Sequence, residues 1–165
     1  MARWPDDVAG LRSAWARITT EWERTGERAR SLGDVAAHQR VADEWSYVET
    51  VRHVVFVVDL WIRRAVLSEP SGFHAEALPP TFMPAAAFPG VEPAIDVSLK
   101  RAIDLLHDAA TTVASLLADL DDDGLSRACG RASEHTVLRC VKTVLNEADL
   151  HRQFAARDLE TLEAG

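Results

Sequence analysis

The chain is short of the features that would send it to a membrane, to nucleic acid or to an oxidising compartment. Its two cysteines, Cys129 and Cys140, are too few for a disulfide framework and lack metal-type spacing. Both are expected to be buried, reduced thiols of a cytosolic protein. The longest uninterrupted apolar run, Val54 to Val58, falls far short of a membrane span, and the opening stretch "MARWPDDVAG" holds no apolar leader region. Basic residues are outnumbered, 18 against 26 acidic, for a formal charge of −8. Such a surface repels phosphate backbones and anionic headgroups, which argues against nucleic-acid and membrane partners. No internal repeat or low-complexity tract is present. What remains is a single cytoplasmic domain over residues 1–165, long enough to bury most of the surface its unfolded form exposes.

Apolar residues, by contrast, are plentiful and spaced as helices require. Val8, Leu11, Trp15, Ile18 and Trp22 follow one another by three and four, which puts them on one face of a first helix that Gly33 and Asp34 should end. In "WSYVE", Ser46 and Glu49 form a capping box that opens a second helix, whose stripe of Val48, Val51, Val55, Val58 and Ile62 is widened by Val54, Val57 and Trp61. A helix so apolar on nearly every side belongs at the centre. Five of the seven prolines then fall between Ser68 and Glu92, so this stretch reads as a long irregular loop, either a lid or a wrapped crossover, with Phe73, Phe82, Met83 and Phe88 pinning it to the body. A third helix carries Leu99, Ile103, Leu106, Ala110, Val113, Leu117 and Leu120 and stops at "DLDDDG". A fourth is expected from about Ser133, with Val137, Val141, Val144, Ala148 and Phe154 or Ala155 facing inward. Four such helices and no evident strand predict an all-α four-helix bundle with a long irregular loop between helices two and three.

Glu147 and His151 sit four apart on the last helix, in line with Cys140, Val144 and Phe154, so they border the core. A carboxylate there requires a cation, a metal or several donors. His53, in line with Phe56 and Leu60 on the second helix, is the natural partner. Two imidazoles and one carboxylate from facing helices suit a divalent first-row metal with positions left open; a His–Glu hydrogen bond between packed helices is the alternative. Glu49, one turn before His53, is placed either for the cap alone or to orient that imidazole from behind. Of the other histidines, His107 falls on a polar face, His38 in a polar linker and His135 in the first turn of the last helix; His74 lies in the proline-rich loop, where a lid could carry it over a site. No residue suggests itself as a separate general base.

The stretches "DEWSYVETVRHVVFVVDLWIRRAVL" and "VLRCVKTVLNEADLHRQFAARDL" together resemble the DinB-like superfamily, most closely its actinobacterial branch, over essentially the whole chain. The resemblance implies a four-helix bundle with a metal held by one His of the second helix and two residues four apart on the last, most often both His. Carried over, these are His53, Glu147 and His151, with Glu147 standing where a His is usual. Zinc, nickel, iron or manganese would suit two His and one carboxylate. The activities implied are a transferase or isomerase dependent on a low-molecular-weight thiol, mycothiol in actinobacteria, or a metal-dependent hydrolase, acting on a small-molecule substrate. A homodimer through helix faces is the default assembly. The rival reading is a non-catalytic bundle, either a small-molecule binder or a dimerising structural protein.

Overall fold

The computed structural model of the protein describes residues 4–165, so the first three residues of the opening stretch lie outside it. Helix α1 spans Val8–Leu32. The Asp7 carboxylate caps it by accepting from the Gly10 N–H at 2.7 Å, and Gly33 ends it at φ +92°, a conformation that favours glycine. The predicted stripe from Val8 to Trp22 is buried in full. A single turn, α2 (Asp34–Ala37), leads into the linker before the second long helix.

That helix, α3, spans Tyr47–Val58 and opens with the predicted capping box. Ser46 Oγ accepts from the Glu49 N–H at 3.3 Å while the Glu49 carboxylate accepts from the Ser46 N–H at 2.9 Å. Every residue of α3 except Glu49 is buried, as its apolar breadth requires. Beyond Val58 the backbone widens into a π-helical segment, Asp59–Val66, whose end shows the Leu67 N–H donating to the Ile62 carbonyl five residues back. The sequence reading expects a uniform α-helix here, because apolar spacing does not distinguish the two hydrogen-bond registers.

The proline-rich stretch is irregular, as expected, apart from a 3-10 turn at Ala85–Ala87. It is fastened as a strap by Phe73 and Phe88, whose rings lie 5.7 and 4.7 Å from that of Phe56. Phe82 departs from expectation: it is 84% exposed at the surface of the strap. Helix α4 (Leu99–Asp119) starts at a Ser98 cap and buries Leu99, Ile103, Leu106, Val113 and Leu117. Asp121 then caps a further single turn, α5 (Asp122–Leu125).

Two corrections follow. A minimal antiparallel pair, β1 (Ala128–Cys129) with β2 (His135–Thr136), precedes the last helix, and α6 spans Val137–Ala164 rather than starting near Ser133. The turn at Gly130 and Ser133, both at positive φ, reverses the chain, and Thr136 takes the capping role by accepting from the Arg139 N–H. His135 is therefore a strand residue beside Trp61, not part of the helix. Of the two inward candidates near the end, Ala155 is buried and Phe154 is 37% exposed.

Helices α1, α3, α4 and α6 enclose one apolar core in the expected all-α bundle. Two buried indoles cross-tie it: Trp15 Nε1 donates to the Ala110 carbonyl at 3.1 Å and Trp22 Nε1 to the Ala148 carbonyl at 3.0 Å. Core side chains with no exposure, such as Leu11 and Ile18, each contribute about 1.5–3 kcal/mol of burial. Cys129 and Cys140 are buried free thiols 3.5 Å apart at sulfur, and burial pushes the Cys140 thiol up to about 12. Among the described residues, no helix is long and apolar enough to cross a membrane.

Candidate metal centre

Helix α6 presents Glu147 and His151 on successive turns, and His151 Nε2 lies 3.4 Å from Glu147 Oε2. Helix α3 brings His53 against them, its ring centroid 4.7 Å from that of His151. Each of the three offers one ligand atom within 4.8 Å of the other two. Among the described residues, no other group of three or more His, Cys, Asp or Glu residues has this property.

The protonation of the cluster suits a cation. His53 is 6% exposed, and burial, aided by the neighbouring His151, pushes its imidazole down to about 4, so it is neutral near pH 7. Its Nδ1 lies 3.0 Å from the Leu78 carbonyl oxygen. A carbonyl only accepts, so Nδ1 carries the proton and the Nε2 lone pair is left for the cluster. The hydrogen bond with His151 holds Glu147 below the usual carboxylate range despite partial burial. One anionic oxygen donor and two imidazoles at mutual contact distance, one fixed as a lone-pair donor, fit a divalent first-row ion. The polar contact within the cluster, His151 with Glu147, lies inside α6 and is not a hydrogen bond between helices.

The indole of Trp45 lies over the cluster, 4.7 Å from the His53 ring and 6.1 Å from that of His151. Sequence reading gives it no role at the site; its place immediately before the Ser46 cap, about two turns ahead of His53, is the signal that could have found it. Trp45 and His151 also line a cleft of about 370 Å³, with Arg40, Thr50, Thr81, Phe154 and the acids Asp43, Glu44 and Asp158. Of the three donors His151 is the one on the wall of this cleft, with Thr81 of the strap beside it.

Glu49 does not orient His53. Its carboxylate is committed to the cap and to Arg40, with Arg40 Nε at 3.0 Å, and the imidazole takes its hydrogen bond from the strap instead. His74 is not over the cluster either; its Nδ1 donates to the fully buried Asp59 carboxylate at 3.0 Å. His107 is exposed, as expected, and His38 closes α2 with its ring nitrogens on the Asp34 and Val97 carbonyls. Asp59 is the polar residue that sequence reading missed. Its neighbours Val58 and Leu60 disguise it as the end of an apolar run.

Fold and cluster together define an all-α bundle with a three-donor polar pocket between its second and last long helices. The sequence model of the DinB superfamily matches residues 17–155, and the chain belongs to that superfamily. Neither a curated protein nor a solved structure matches it.

Proposed function

We propose that the protein is a metal-dependent enzyme in which His53, Glu147 and His151 hold one divalent ion, and that the adjoining cleft takes a low-molecular-weight thiol of the mycothiol type with an electrophilic small molecule. The observation that carries this reading is the convergence of the three donors within 4.8 Å beside an open cleft. Membership of the DinB superfamily supports it. Bound there, such an ion supplies Lewis acidity and favours the thiolate form of a thiol.

The chain's own residues supply the rest. Glu147 offsets part of the ion's charge, and His53 needs to lose no proton to ligate near neutral pH. Trp45 covers the imidazoles, so a ligand reaches the cluster through the cleft along Thr81 and Phe154. Of the three acids that line the cleft, Asp158 and Glu44 both accept from Arg157, at 2.7 and 2.5 Å, while Asp43 has no hydrogen-bonded partner among the described residues and is the carboxylate open to serve as a base in the hydrolytic version of the reading.

Elemental analysis of protein from metal-replete medium tests the reading. One ion per chain is expected, lost in His53→Ala and in His151→Ala without loss of the fold. A wild-type protein carrying none would leave the non-catalytic bundle as the better account.

A further inference from the structure

Asp59 is a carboxylate with no exposure, directly after the buried valines Val57 and Val58, and such a group is costly to bury. Burial raises its pKa above the ordinary value, while the bonds from His74 work against that rise. The His74 backbone N–H donates to Oδ2 at 2.9 Å and His74 Nδ1 to the same oxygen at 3.0 Å; Arg63 Nε stands 3.3 Å from Oδ1. From α4, Asp108 lies 3.4 Å from His74 Nε2 and accepts from Arg63 at 2.6 Å. An apolar pair of similar volume would hold a strap at least as cheaply, so stability alone does not account for the arrangement.

What the latch controls is four residues away. From His74 the strap makes one tight turn, closed by the Ala77 N–H donating to the His74 carbonyl at 3.2 Å, with Ala77 wholly buried. The next residue is Leu78, whose carbonyl receives the His53 Nδ1 proton. Arg52 steadies the same turn by donating to the Glu76 carbonyl at 2.6 Å, and its own carbonyl accepts from the Leu78 N–H at 3.1 Å. Helix α3 thus grips the strap at Arg52 and the π-helical segment after it grips at Asp59, and the strap returns to α3 at His53.

We propose that Asp59 and His74 are positioning residues for the cluster: by locking this turn they hold the Leu78 carbonyl where it keeps the proton of His53 on Nδ1 and Nε2 free to ligate. The inference rests on the metal-site reading above, but its first readout does not. In metal-free protein at pH 7.5, the ¹⁵N signals of His53 should show the Nδ1–H form in wild type and a mixture of both tautomers in His74→Ala. His74→Asn, whose amide nitrogen sits where Nδ1 sat, should restore the wild-type pattern. In competition titrations with Zn²⁺ against a chromophoric chelator, His74→Ala should weaken binding about 10- to 100-fold and His74→Asn should recover most of it. Should His74→Ala not fold, Asp59→Asn keeps the volume, removes the buried charge and should show the same change at reduced size.

An unchanged His53 pattern in the variants overturns the inference, as does a loss of affinity that His74→Asn fails to rescue. If the wild type binds no ion, the metal reading falls by itself, and the tautomer comparison still decides the role of the latch.

Discussion

The neutral, buried His53 makes the metal-free protein sensitive to pH in a way that can be worked out. In the unfolded chain an imidazole titrates near 6.5; in the bundle this one is pushed down to about 4. Between those values the unfolded state takes up a proton that the native state refuses, so the contribution of His53 to stability rises with pH across this window. It is complete above about 6.5, falls away as pH drops, and is flat again below about 4. The separation converts to roughly 3 kcal/mol over the full window, a large share of a domain's total of about 5–15 kcal/mol. His74, raised by its bond to Asp59, and His38, raised by the Asp34 and Val97 carbonyls, act in the opposite sense, losing stability as pH rises through their folded values. The quantity to read is therefore the difference between wild type and His53→Asn, which keeps an amide donor toward Leu78. Urea unfolding in excess chelator from pH 4.5 to 7.5 should show the variant gaining on wild type as pH falls, with most of the change present by pH 4.5. A difference that does not vary with pH, or that grows in the other direction, refutes the burial argument.

An ion bound only to the folded form at a hundred times its dissociation constant adds about 2.7 kcal/mol, so Zn²⁺ should raise the melting temperature by roughly 5–11 °C and chelator should reverse it; calorimetry with and without chelator checks this. Glu147→Ala should lose tight metal binding, whereas Glu147→His, which makes the three-His set that the family resemblance makes usual, should keep it with altered preference among Zn²⁺, Ni²⁺ and Mn²⁺, read by competition titration. Ser46→Ala removes the cap of α3 and should cost about 1 kcal/mol, or 2–4 °C in melting temperature, with metal affinity little changed.

Much of this molecule was legible in the order of its residues because the signals are local. The capping box needs only Ser46 and Glu49, and the stripes of α1, α3 and α4 repeat at a period that a helix imposes. The convergence of His53 with Glu147 and His151 could be anticipated because their apolar neighbours turn each toward the same core, and family resemblance joined the two helices. What could not be read is what crosses from helix to irregular chain. Nothing periodic links Asp59 to His74, or Leu78 to His53, since a strap without regular hydrogen bonds places its groups by tertiary contact. The π-helical turns after Val58 escaped for another reason: they differ from α-turns in hydrogen-bond partner, not in residue type. Phe82 shows the converse error, an aromatic side chain read as an anchor that the fold leaves open to solvent.

The near-total burial of α3 sets a mechanical contrast across the cluster. His53 belongs to the segment least able to shift without disturbing every neighbour, so its amide and those of Val54, Val55 and Phe56 should exchange with deuterium only when the whole domain opens. Leu78, which accepts from that imidazole, sits in irregular chain tied to α3 at separate points rather than by a continuous helical ladder, and its amide should exchange sooner. Small motions of the strap would then shift a hydrogen-bond acceptor against an imidazole that stays still, with no rearrangement of the scaffold.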